Sequence, residues 1–367
     1  MSNFLKDSSN NFLIIYYAFF IIFKYFHTYF FNRLYGLIKI NSKNLAKFLG
    51  LKVVRLIILL IVIAAISFIM IQMSPIDPVR AYLGQRIVSQ EQLAIMGEYW
   101  GTNLSLGERV VGWLSTLATG SMGFSLIYRV PVTEVIVQKF TASLTLMATS
   151  WVISGIFGFG LGVLAGAKEG TWIDKAIKTY SYILQSSPTF WIGLVLLMLF
   201  SVYLGWFPIG LSVPIGQLSD TVTFWQWLHR LILPAVTLSI VGIASLTMFT
   251  RDKLIQVKKS DYFLFAQARG ESFWGIIKNH GIRNILLPAI SIQFLSFNEL
   301  FGGTILVEQV FAYPGIGQAT VAAGLRSDVP LLLGIVIISA IFVFTGNLIA
   351  DIIYKYVDPR LRGEDDE

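Results

Sequence analysis

No cysteine occurs among the 367 residues, which excludes disulfides and thiolate metal sites. Histidine is nearly absent as well: His27, His229 and His280 are scattered, and no two share metal-ligand spacing. That pattern argues against a resident metal site, a nickel site included. Charge is scarce, with Asp, Glu, Lys and Arg together at 13%, whereas hydrophobic types reach 55% and aromatics 14%. No soluble core could hide such an apolar surplus, so the chain reads as a membrane protein. The net charge of +7 would suggest nucleic acid in a soluble protein; in this chain membrane topology accounts for it. No Gly-x-x-x-x-Gly-Lys-Ser/Thr phosphate loop exists, since the nearest candidate, Gly162 to Lys168, has Ala167 where the glycine must adjoin the lysine. Gly-x-Ser-x-Gly and His-Glu-x-x-His are also missing. The chain is therefore not expected to be an enzyme or its own ATPase.

What is present is a series of apolar runs of about 20 residues, the length needed to cross roughly 30 Å of hydrocarbon. They lie near Val53–Met73, Leu144–Ala167, Ile183–Tyr203, Leu231–Thr250, Ile285–Leu306 and Leu331–Tyr354. An earlier block, Phe12–Phe31, is broken by Lys24 and His27 and reads as a seventh span or as a helix lying in the interface. Basic residues resist translocation. The connection 251–284 carries seven Lys and Arg and 167–182 carries three, while 206–230 and 307–330 carry one each. This asymmetry places 251–284 and both ends of the six-helix core in the cytoplasm.

The outward segment Ser74–Phe140 opens on the turn signal Ser74-Pro75-Ile76-Asp77-Pro78 and closes on Arg129-Val130-Pro131. It reads as a small extracytoplasmic subdomain of short helices, either a connector or a lip that meets a substrate-delivering partner. Within the second span Gly158, Gly162 and Gly166 recur every four residues, a stripe suited to close helix packing. Pro188, Pro234 and Pro288 fit the beginnings of the third, fourth and fifth spans.

Two polar features interrupt the apolar pattern. Asn298 and Glu299 lie in the fifth span, where an ionised carboxylate carries a penalty of about 2.5–3.5 kcal/mol on insertion scales. Glu299 must face a watery cavity or a partner, in a structural hydrogen-bonding role or in a substrate or gating role. On the outer side Tyr313-Pro314-Gly315 suits a tight type II turn, as a loop corner or as part of an outer gate.

The cytoplasmic loop 251–284 contains the segment Asp261 to Gly270, too short to be a stable helix alone in water. Ser260 or Asp261 can cap it, Gly270 can take the left-handed terminal conformation, and Ser272 can cap a second helix. The expected shape is helix, sharp corner, helix. Tyr262, Phe265 and Arg269 share a face by their spacing, and small side chains at Ala266 and Ala268 would let a partner approach the backbone.

These residues resemble a known family. Asp261-Tyr262, Ala266-Gln267-Ala268-Arg269-Gly270 and Arg283-Asn284-Ile285-Leu286-Leu287-Pro288 are similar to the cytoplasmic signature of ATP-binding-cassette (ABC) importer permeases, in the form of the dipeptide, oligopeptide and nickel branch. The glutamate that often precedes the alanines in the wider family is lacking. The likeness continues in Gly120-Ser121-Met122-Gly123-Phe124-Ser125, Ser187-Pro188-Thr189-Phe190-Trp191 and Val307-Glu308-Gln309-Val310-Phe311 through Gly317, covering roughly Leu51 to Gly363.

The resemblance implies an all-α permease of six core helices. Its expected organisation is an N-terminal extension over 1–50, the first span with the extracytoplasmic segment over 51–143, the transmembrane domain over 144–357 with its coupling loop 251–284, and an acidic tail over 358–367. It also implies partners: a second permease subunit, two cytoplasmic ABC ATPases that hold ATP and Mg, an extracytoplasmic substrate-binding protein, and lipid. No cofactor is expected on this chain and no nucleic acid is bound. Coupling to the ATPase would fall to Tyr262, Phe265, Ala266, Ala268, Arg269 and Gly270. Asn298, Glu299, Tyr313, Pro314 and Gly315 are the pathway and gate candidates. Peptides are the expected cargo, with nickel or another small solute as the alternative. A secondary transporter or channel without ATP coupling is the rival from another class, but the deep ionisable groups it would need are sparse.

Overall fold

The computed structural model describes residues 104–210, 222–326 and 328–357, together with 50, 52–62, 65, 89–91 and 97. The Phe12–Phe31 block, the Ser74–Pro78 turn and the tail 358–367 lie outside the described residues, while 52–62, within the first expected span, is helical.

From residue 104 onward the described residues form, in order, α1 (Leu106–Ala118), α2 (Val132–Ala167), α3 (Trp172–Ser186), α4 (Thr189–Tyr203), α5 (Phe224–Lys258), α6 (Asp261–Ala268), α7 (Phe273–Leu295), α8 (Phe297–Val310), α9 (Ile316–Leu325) and α10 (Val329–Val357). No strand is formed among the described residues; Phe124 and Pro131 make one isolated antiparallel bridge. Helices α2, α5 and α10 are each long and apolar enough to cross a membrane unbroken. Two bent pairs, α3 with α4 at 109° and α7 with α8 at 47°, are long and apolar enough only when each pair is taken together, as a broken span or a re-entrant loop.

Several expected boundaries need correction. The third span is not a straight run from Ile183, because the chain turns at Ser187-Pro188 and Ile183–Ser186 finish α3. Pro188 does sit at the N-cap of α4, but Pro234 and Pro288 lie inside helices. Both α2 and α5 start well before their apolar runs. At 36 residues α2 measures about 54 Å, far more than the hydrocarbon thickness. Hydropathy marks where lipid begins, whereas caps mark where a helix begins. The start of α5 was legible in Thr223-x-x-Gln226: the Gln226 amide donates to Thr223 Oγ1 and the Thr223 amide to Gln226 Oε1. Ser105 and Glu108 close the same box at the start of α1.

The described residues form two compact units, 146–311 with 346–357, and 50–145 with 312–345. In the first, the Gly158, Gly162 and Gly166 stripe packs on α5 as its spacing suggests. A Cβ built on Gly162 would lie 2.5 Å from Thr250 Cβ and 2.7 Å from the Thr247 carbonyl oxygen. Near mid-helix, α2 is clamped to α7 by polar groups. Trp151 Nε1 donates to the Gln293 carbonyl (2.9 Å), and Gln293 Nε2 donates to the Trp151 carbonyl (2.7 Å) and to Ser154 Oγ (2.8 Å). In the second unit, Val132, Val135, Ile136, Ile316, Ala319, Leu331 and their neighbours form a separate core. Buried Asp328 organises its loop, accepting from Ser125 Oγ (2.6 Å), the Ile127 amide (3.0 Å) and the Leu331 amide (3.2 Å).

Candidate functional site

The corner in the connection 251–284 is built from α6, the turn after it and the start of α7. Ser260 occupies the N-cap of α6, but its hydroxyl donates backwards to the Val257 carbonyl (2.5 Å) and leaves the first amides of α6 uncapped by a side chain. Helix α6 ends as expected: Gly270 takes φ +82°, its amide donates to the Gln267 carbonyl (3.0 Å), and the Glu271 amide donates to the Ala266 carbonyl (3.2 Å). This pair of bonds is a Schellman closure, which needs a left-handed residue where glycine stands. Two residues on, Ser272 caps the next helix by accepting from the Gly275 amide (3.2 Å).

The two faces of α6 differ sharply. Phe263 and Ala266, each 4% exposed, sit in a core shared with Leu254 and Val257 of α5 and Ile276, Ile282 and Ile285 of α7. Phe263 meets Phe273 edge to face at 5.9 Å. On the other face Phe265 is 67% exposed and Leu264 53%, with Gln267, Ala268 and Arg269 also exposed. Tyr262 is partly exposed and its hydroxyl accepts from Asn284 Nδ2 (3.0 Å), which fixes the ring against α7. Of the six residues expected to share a partner-facing role, Ala266 is therefore different: its small side chain serves the chain's own packing. The other five lie on the exposed face or at its end.

Behind the corner stands an ion pair whose partners are far apart in sequence. Arg251 on α5 donates from Nε to Asp174 Oδ1 (2.5 Å) and from Nη2 to Asp174 Oδ2 (2.9 Å), and the Gly170 amide donates to the same carboxylate (2.9 Å). Asp174 is buried on α3. Lys258 Nζ adds a second tie, to Glu169 Oε2 (2.9 Å) and to the Gly166 carbonyl (3.2 Å). The hydrogen bond from the Lys258 ammonium holds the Glu169 carboxyl below the usual carboxylate range. No spacing rule could have joined residues 77 positions apart; the only signal was an acid in the first turn of α3 and a base near the end of α5.

The pathway candidates fall in two places. Asn298 and Glu299 are adjacent and exposed near the start of α8, and Asn298 Nδ2 donates to Asn347 Oδ1 of α10 (2.6 Å). Tyr313, Pro314 and Gly315 belong to the other unit, where Tyr313 is only 2% exposed. Their turn is not type II. That turn needs positive φ at its glycine, but Gly315 has φ −93° and serves as the N-cap of α9. Its amide donates to the Tyr313 carbonyl (2.7 Å), closing a three-residue turn across Pro314, and the left-handed residue is Ala312.

Comparison with known proteins agrees with this architecture. Residues 158–363 match the family described as binding-protein-dependent transport system inner membrane component. The chain is 34% identical to the oligopeptide transport system permease protein AppB of Bacillus subtilis (strain 168), over 83% of this chain and 95% of that one. It is 31% identical to the di/tripeptide transport system permease protein DppB of Pseudomonas aeruginosa (strain UCBPP-PA14), over 82% and 94%. Against the glutathione transport system permease protein GsiC of Escherichia coli (strain K12) the identity is 30%, over 85% and 97%. A multi-pass helical chain matched in this way belongs to the binding-protein-dependent transport system inner membrane components, the permease subunits of ABC importers in the cytoplasmic membrane.

Proposed function

We propose that this chain forms half of the translocation pathway of an ATP-driven peptide importer. A second permease subunit supplies the other half, two ATPases drive it from the cytoplasm, and an external binding protein delivers the cargo. Peptides are favoured because the relatives are named for oligopeptide, di/tripeptide and glutathione transport. The observation that carries the coupling is the two-sided character of α6. Its inner face is locked into a core with α5 and α7, while Leu264 and Phe265 remain uncovered. Burying a Phe side chain is worth about 1.5–3 kcal/mol, so a groove on the ATPase gains affinity by enclosing it.

Because protein interiors are close-packed, a displacement of α6 carries the ends of α5 and α7 with it and tips the bundle between inward-open and outward-open packings. Asn298 and Glu299 would then line the pathway, and the Tyr313 to Gly315 turn would belong to the outer gate. The test is Ala268→Trp, at an exposed position where the larger side chain leaves the chain's own core intact. Co-purified ATPase and ATP-dependent peptide uptake should both be lost while the thermal midpoint of the permease stays unchanged. Retained ATPase with normal uptake would remove the corner from the mechanism.

A further inference from the structure

We propose that Asn298, Glu299 and Asn347 form a water-facing site for the α-ammonium group of a peptide in transit; this rests on the peptide reading above. Glu299 lies 16 residues beyond Arg283, across the 47° bend between α7 and α8, and 11 residues before the end of α8, inside a helix pair apolar enough to be one broken span. An exposed carboxylate cannot face lipid there without a penalty of several kcal/mol. No ion pair among the described residues neutralises it.

The neighbouring groups suit a cationic head followed by a carbonyl. Helices α8 and α10 approach closely at this level, since a Cβ on Gly346 would lie 2.6 Å from Phe297 Cδ1, and one residue further on the two amides meet. With Asn298 Nδ2 engaged by Asn347 Oδ1, Asn298 keeps its oxygen as an acceptor and Asn347 keeps its NH2 as a donor. The ammonium would donate to the Glu299 carboxylate and the Asn298 amide oxygen, and the Asn347 NH2 would donate to the first peptide carbonyl.

The absence of native cysteine from this chain makes Glu299→Cys its only thiol, addressable in the transporter assembled with cysteine-free partner subunits and reconstituted in vesicles. Water-soluble methanethiosulfonates should modify the thiol, and free-amino trialanine should slow the modification several-fold where N-acetyl-trialanine does not. An anionic sulfonatoethyl adduct should restore uptake of trialanine. A cationic trimethylammonium adduct should leave it about tenfold low, as in Glu299→Gln, the scale of one charge pair in a partly watery cavity. Failure to react, protection by both peptides or by neither, or rescue by both adducts would overturn the site. Loss of the second permease subunit from the purified Glu299→Gln complex would overturn it in favour of a subunit contact. If the unsubstituted transporter takes up no trialanine, the peptide reading itself fails, and that is seen before any variant is made.

Discussion

Two glycines in this chain are required for opposite reasons. Gly162 has ordinary helical backbone, but the space a side chain would need is occupied by Thr250 Cβ and the Thr247 carbonyl, and neither can rotate away. Gly270 has open space around its Cα but a φ of +82° that L side chains resist. The costs should separate accordingly. Gly162→Ala forces α2 and α5 apart and should cost about 1–3 kcal/mol, the range for overpacking. Gly270→Ala should cost about 1–2 kcal/mol of local strain without disturbing the helix contact. Thermal unfolding of each variant in detergent, with Gly160→Ala as a control where nothing lies within 4 Å, measures the difference. The stripe of three glycines was legible because a four-residue period puts small residues on one helix face. The burial of Ala266 was not: an eight-residue helix of nearly uniform apolarity does not reveal which side its core lies on.

Among the elements, the Arg251–Asp174 tie holds the end of α5 against the start of α3. Asp174 takes two hydrogen bonds from Arg251 and one from the Gly170 amide, so it is charge-paired and fully engaged although buried. Removing Asp174 strips Arg251 of its bidentate partner and leaves it only the exposed Asp252 Oδ1 (2.9 Å), so the loss is that of charged hydrogen bonds, about 1.5–3 kcal/mol. Asp174→Ala should therefore destabilise the permease. The exchange Asp174→Arg with Arg251→Asp should recover part of the loss, and a double-mutant cycle on unfolding midpoints gives the coupling; strict additivity would mean that the pair does not act as a unit. The elements themselves were only partly readable. Among the described residues, the apolar runs from 144 onward fall on the three long apolar helices or on the two bent pairs. The 109° turn at Ser187-Pro188 was invisible to hydropathy, which counts residues and ignores direction, and Pro288 was assigned to a helix start because a missing N–H costs little there, whereas it lies inside α7.

For the whole molecule, family and membrane class followed from composition and from motifs of fixed spacing, whereas the contacts that give the motifs their meaning are tertiary. The Tyr262–Asn284 bond, the Arg251–Asp174 pair and the Asn298–Asn347 pair each join positions that no helical period relates. Orientation depends on a global count of charge. Seven basic residues in 251–284 against one in 206–230 predict α6 inside the cell and the start of α5 outside. A chain without cysteine permits a direct check. Gln267→Cys, on the exposed end of α6, and Trp225→Cys, 74% exposed in the first turn of α5, each add one thiol. In intact cells a membrane-impermeant maleimide should label Trp225→Cys and spare Gln267→Cys, and inside-out vesicles should reverse the pattern. Labelling of both from one side would require an even number of crossings between 225 and 267, which α5, a single unbroken helix of 35 residues with one apolar stretch, cannot supply; that result would reject α5 as a membrane span, and with it the placing of the Phe265 face toward a cytoplasmic ATPase.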